Sequence, residues 1–177
     1  MSSIVVAIGD SITYGYPYTH QESWVYLASR RLGIPMINKG EPGETTGEMR
    51  QRFAADVLAE KPTHVIIMGG TNDAFYNLPL ERVCNNIYRM CEEAHIAGIK
   101  PIIGIPVPVN EAQAEAWLKA YRTWLQDFAG RMGFQVLDFY SVLVDSGTGL
   151  LKPDCHDDGV HPNLSGYRAM AKIVCVE

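Results

Sequence analysis

A three-layer α/β fold, with a five-stranded parallel sheet between two layers of helices, is what the sequence predicts on three observations. Five short β-rich runs recur along the chain, at residues 4–8, 36–38, 64–68, 101–105 and 135–138. Longer segments with helical period and recognisable ends separate them. Most of the runs are apolar at nearly every position, which is how strands covered on both faces read, and such strands belong in parallel sheets.

Each element has its own signal. The first run, Ile4 to Ile8, passes into Gly9-Asp10-Ser11, and a helix follows over 24–32, from Trp24 to a glycine stop at Gly33. After the second run, Thr45 with Glu48 resembles a capping box that opens the next helix. Leu80, Val83, Ile87 and Ala94 share one apolar face with Cys84 and Cys91, which predicts a helix over 80–97 closed by Gly98. Asn110 with Gln113 is the expected cap of the helix that carries Trp117, Leu118, Tyr121, Leu125, Phe128 and Met132 before Gly133. A last helix is expected over 164–174.

Strands alternating with helices give an open, doubly wound sheet, and the expected strand order is the flavodoxin-like 2-1-3-4-5. No repeat, low-complexity tract or linker divides the chain, so its 177 residues are read as one domain. The winding direction reverses between strands one and three. A crevice is therefore expected beyond their carboxyl ends, where ligands bind in such sheets.

Composition narrows the possible functions. A net charge of −5 without a basic stripe disfavours nucleic acid as a partner. Met1-Ser2-Ser3 runs directly into the first apolar stretch without the features of a signal peptide, and no run is long enough to span a bilayer. Cys84, Cys91, Cys155 and Cys175 lack both Cys-x-x-Cys spacing and disulfide-scaffold density, so they are read as packing residues in a reduced, cytoplasmic protein.

Four glycine-containing polar loops converge on the predicted crevice: Gly9 to Thr13, Asn38 to Thr46, Gly69 to Asp73, and Asp157 to Pro162. A serine hydroxyl needs a base to take its proton as it attacks, and His161 is the base these loops offer to Ser11. Asp158 stands three residues before His161, close enough for one turn to bring its carboxylate to the second ring nitrogen. Gly43, Asn72 and the backbone N–H of Ser11 suit the oxyanion of a tetrahedral intermediate. Any one of these pieces is an ordinary bend, cap or turn. Their occurrence together, in order, at one sheet edge is what points to chemistry.

On these residues the chain resembles the SGNH hydrolases, also called GDSL-type lipases and esterases. Gly9-Asp10-Ser11, Asn38 to Thr46, Gly70-Thr71-Asn72-Asp73 and Asp158-Gly159-Val160-His161-Pro162 stand for the four blocks of that family, and the likeness covers nearly the whole chain. It implies the three-layer fold, a cofactor-independent ester hydrolase, Ser11 as nucleophile, Asp158 and His161 as its triad partners, and Gly43 and Asn72 as oxyanion donors. Ile12 replaces the leucine of the family's name, and Glu41-Pro42 precedes Gly43, a departure that bears on substrate preference. Family members of this kind include thioesterases, lysophospholipases and sugar deacetylases.

Tyr14, Tyr16, Pro17, Tyr18 and His20, with Phe75 and Tyr76, either wall a substrate pocket or simply pack their loops. Pro106-Val107-Pro108-Val109 is expected to add an apolar wall. His20, His64, His95 and His156 are read as structural. Two alternatives stand beside the esterase: a metal site among Asp154, Cys155, His156, Asp157, Asp158 and His161, and a phosphate- or flavin-binding module using Gly69 to Asn72 with the hydroxyls of Thr45 and Thr46. With so little sequence outside the core elements, short acyl groups are the expected substrates.

Overall fold

In the computed structural model, which describes residues 3–177, five strands form one parallel sheet in the order β2-β1-β3-β4-β5. They are β1 (Val5–Gly9), β2 (Met36–Gly40), β3 (His64–Met68), β4 (Lys100–Ile105) and β5 (Gln135–Asp138). Met1 and Ser2, on which part of the leader reading falls, lie outside the described residues. The central β1 and β3 are buried along their full length, whereas the edge strands β2 and β5 mix polar and apolar residues and are only partly covered.

Strand alternation decides which layer each side chain joins. Val6, Ile8, Val65, Ile67, Ile103 and Ile105 point to one face, where they pack with α3 (Thr46–Asp56), α5 (Leu80–Ile96) and α6 (Ala112–Met132). Val5, Ala7, Ile66, Met68, Ile102 and Leu137 point to the other, against α2 (Trp24–Leu32), α7 (Phe139–Leu143) and α8 (Leu164–Ile173). Two short helices, α1 (Ser11–Tyr14) and α4 (Thr71–Phe75), spring from the ends of β1 and β3 and fall below the length that helical periodicity reveals in a sequence.

The capping box forms: the Glu48 carboxylate accepts from the N–H and the hydroxyl of Thr45, both at 2.8 Å. The cap expected at Asn110 does not. Glu111 takes that position, accepting from the N–H groups of Gln113 (3.1 Å) and Ala114 (2.6 Å). Asn110 is held elsewhere, because its N–H donates to Gly159 O at 2.7 Å and its Oδ1 accepts from the N–H of Leu151 at 2.9 Å. It thereby ties the end of β4 to the loop that carries His161.

The segment after β4 is buried in the core. Val107 and Val109 are fully buried, one in each core layer, and Pro106 and Pro108 are buried beside them. This stretch passes through the top of the core. The thiols are all free, and burial pushes Cys84 up to about 11 and Cys91 up to about 12. Neither has the thiolate character of a nucleophile.

Candidate active site

Ser11 begins α1, at the turn where β1 ends. Asp10 caps that helix, its Oδ1 accepting from the Ile12 N–H at 2.9 Å. The short helix lies directly on the strand ends: a Cβ on Gly40 would meet the Tyr14 nitrogen at 2.1 Å, so only glycine admits this approach. The Asn38 amide donates to Thr13 O (2.8 Å), fastening α1 to β2. Ser11 is left 8% exposed, and its N–H, at the first position of the helix, has no main-chain acceptor.

His161 arrives from a loop beyond β5. Its Nε2 lies 3.1 Å from Ser11 Oγ, and its Nδ1 lies 2.6 Å from Asp158 Oδ2. The carboxylate assigns the tautomer: Nδ1 carries the proton and donates it to Asp158, leaving Nε2 to accept from the serine hydroxyl. Asp158 Oδ1 accepts in turn from the N–H groups of Val160 (2.8 Å) and His161 (2.7 Å), so one carboxylate builds the turn and aims the ring. Desolvation pushes the Asp158 carboxyl up, but the hydrogen bonds from the His161 ring and these two N–H groups outweigh it and hold the group below its usual range. The N–H of Gly159 donates to His156 Nδ1 at 2.9 Å, which gives His156 a structural part in the same loop.

Gly43 follows the exposed Glu41 and Pro42 with φ of +86°, a conformation that suits glycine, and its N–H is free of main-chain acceptors. Asn72, on the first turn of α4, donates from Nδ2 to the main-chain oxygen of Glu44 at 2.8 Å, leaving its second amide hydrogen without a partner among the described residues. Beneath it, buried Asp73 accepts from the N–H (2.9 Å) and hydroxyl (2.6 Å) of Thr46, binding α4 to the start of α3.

Of the residues expected around a pocket, Tyr16 lies closest to the histidine. Its ring centroid is 4.6 Å from that of His161, it remains 45% exposed, and its main-chain oxygen accepts from the buried Tyr167 hydroxyl at 2.6 Å. Tyr14 instead packs edge-on against His20, at 4.4 Å. Tyr18 packs against Tyr167. Phe75 and Tyr76, at the end of α4, are exposed, Tyr76 to 65%. Pro106 is buried. A cavity of about 810 Å³ lies at the opposite edge of the sheet, among the first residues of β3, β4 and β5, and includes none of these groups.

Sequence reasoning passed over Asp10, Asp73 and Tyr167. The first two sit inside the motifs and were legible as neighbours of Ser11 and Asn72. Tyr167 carries no local signal.

Burial pushes the Asp10 carboxyl up to about 7, with the charges of Asp73 and Glu44 adding to the effect against the Ile12 hydrogen bond. No ion pair reaches it among the described residues. Burial likewise raises Asp73.

Among the described residues, no three His, Cys, Asp or Glu side chains converge as metal ligands would. The Thr45 hydroxyl is donated to Glu48 and the Thr46 hydroxyl to Asp73, and Met49 Sδ fills the space beside Gly69. A phosphate or flavin cradle built on these groups has lost its hydroxyl donors.

Residues 7–169 match the model of the GDSL-like lipase/acylhydrolase family. The chain belongs to that family. With it comes the enzyme class, carboxylic ester hydrolase. A solved structure from Desulfitobacterium hafniense, described as lipolytic and of the G-D-S-L family, superposes with a TM-score of 0.92 at 35% identity, covering 97% of each chain. The lipoprotein YqeF of Bacillus subtilis is 28% identical over 82% of this chain and 74% of its own length. Esterase TesA of Pseudomonas aeruginosa is 25% identical over 91% of this chain and 80% of its own. Among the described residues no helix is long and apolar enough to cross a membrane.

Proposed function

We propose that this GDSL-family chain is a serine esterase acting on small, short-acyl carboxylic esters through an acyl-enzyme intermediate. The observation that carries the reading is the relay from Asp158 Oδ2 to His161 Nδ1 (2.6 Å) and from His161 Nε2 to Ser11 Oγ (3.1 Å).

In this reading Ser11 Oγ attacks the ester carbonyl while its proton passes to His161 Nε2, and Asp158 stabilises the imidazolium that results. The N–H groups of Ser11 and Gly43 and the Asn72 amide face the oxyanion of the tetrahedral intermediate. Its collapse expels the alcohol, which takes the proton from His161. Water then attacks the acyl group with the same imidazole as base and regenerates Ser11. Every proton in this cycle moves between groups of the chain, the substrate and water, so the proposed reaction needs no cofactor.

The preference for short acyl groups draws support from the inward packing of Val107 and Val109, which commits their side chains to the core layers. Tyr16, Phe75 and Tyr76 remain as an exposed aromatic rim. A cytoplasmic setting belongs to the same proposal and is supported by the four free thiols.

The test is labelling with a fluorophosphonate followed by peptide mass spectrometry, together with a panel of acyl esters, thioesters and acetylated sugars. The adduct is expected on Ser11, with the highest kcat/KM on short oxygen esters. Labelling elsewhere, or esterase activity that survives Ser11→Ala, overturns the mechanism.

A further inference from the structure

Arg52 lies on α3, outside every motif, yet its guanidinium reaches the ends of two strands and the loop beyond them. Nε donates to Glu44 Oε2 (2.7 Å), Nη1 to Asp56 Oδ2 (2.8 Å), and Nη2 to the main-chain oxygens of Gly9 (3.1 Å) and Lys39 (2.9 Å). The side chain is only 17% exposed, so these charge-assisted bonds are partly shielded from water and directionally constrained.

What three of the four anchor points adjoin gives the arrangement its meaning. Gly9 closes β1 immediately before Asp10 and Ser11. Lys39 is near the end of β2, where the chain enters the Gly43 loop. Glu44 follows Gly43, and its main-chain oxygen is the acceptor that orients Asn72 Nδ2 at 2.8 Å. Gly43 is therefore adjacent to, and Asn72 bonded to, a group that Arg52 holds, and Ser11 lies two residues from another. The guanidinium also pairs the Glu44 carboxylate, whose unpaired charge would oppose a developing oxyanion.

We propose that Arg52 is a positioning residue for oxyanion stabilisation, acting through Glu44 on Gly43 and Asn72 without touching substrate. The inference rests on the serine-esterase reading. Loss of Arg52 should displace the donors by a fraction of an ångström, and small misplacements in a preorganised site fall on the transition state more than on substrate binding.

A double-mutant cycle on p-nitrophenyl acetate tests it, with Arg52→Met, Asn72→Ala and the pair, each checked by circular dichroism and thermal melting. Arg52→Met is expected to lower kcat by about 10–100-fold with KM changed by less than about twofold. On the Asn72→Ala background the same change should cost clearly less than it does in the wild type, because one of the two donors it positions is already gone. Arg52→Lys, which keeps a cation but loses the fork, should fall between wild type and Arg52→Met, and it carries the cycle if Arg52→Met does not fold.

Equal losses on both backgrounds overturn the proposal, as does a lowered melting temperature with kcat unchanged. Either outcome leaves Arg52 a structural brace while the serine-esterase reading stands. If Asn72→Ala alone leaves kcat unchanged, the oxyanion assignment beneath the proposal fails and the proposal falls with it.

Discussion

Ser11 Oγ and His161 Nε2 lie 3.1 Å apart although 150 positions separate the two residues in the chain. The sheet brings them together: one sits at the end of its central strand β1, the other on a loop that α8 and the Asn110 contacts hold over that end. Because the pair works as one unit, Ser11→Ala and His161→Ala should each remove most of the turnover, and the double variant should be little worse than either single one. Steady-state rates on a short p-nitrophenyl ester, with folding checked by circular dichroism, decide this. Losses that multiply would show that the two residues act separately.

Asp158→Asn should be more damaging than its small change in shape suggests. Oδ1 is occupied by the N–H groups of Val160 and His161, so an asparagine would place its oxygen there and its NH2 towards His161 Nδ1. That orientation forces the imidazole proton onto Nε2, the atom that has to accept from Ser11. By analogy with the serine-protease triad, kcat should fall by about 10³–10⁴-fold. Retention of a tenth or more of the wild-type rate would mean that Asp158 does not set the tautomer.

Asp10 should impose a pH dependence on stability. Its folded-state carboxyl stands at about 7, above the ordinary 3.8, so the native state binds this proton more tightly than the unfolded chain. The resulting stabilisation is present in full below about pH 4 and is lost as pH rises through 7; Asp158, held low, acts in the opposite sense. Asp10→Asn keeps the acceptor for the Ile12 N–H and removes the titration. Urea unfolding at pH 5 and pH 8 should show the variant gaining on the wild type at the higher pH, by on the order of a few kcal/mol. A difference between the two proteins that does not change with pH would place the titration of Asp10 elsewhere.

Chain-length preference should plateau early. A deep tunnel would collect about 0.8 kcal/mol for each buried methylene, whereas the shallow cleft proposed above would cover few of them. Assays of p-nitrophenyl esters from acetate to palmitate, below their micelle concentrations, are expected to show kcat/KM levelling off or falling after short chains. A continued rise beyond about eight carbons would point instead to a long-chain thioesterase or lysophospholipase.

The strands were legible because a β-run buried on both faces must be apolar almost throughout, and Ile4 to Ile8 and His64 to Met68 meet that demand locally. The capping box at Thr45 and the glycine stops at Gly33, Gly98 and Gly133 are equally local, since each satisfies backbone groups within a few residues. The strand order and the gathering of four loops at one edge followed from right-handed winding, a constraint that every such sheet obeys.

Tertiary structure alone decided the rest, wherever an atom had more than one possible partner. Asn110 had the composition of a cap, but Gly159 and Leu151 claimed its polar groups and Glu111 took the helix end. Pro106 to Val109 read as an apolar wall at the site edge, and only the packed layers decided that Val107 and Val109 go one into each core. The reach of Arg52 to Gly9, Lys39, Glu44 and Asp56 depends on where two strands, a loop and a helix meet. Local pattern specifies what a segment must bury or cap, but which distant groups complete its hydrogen bonds is fixed only when the layers pack.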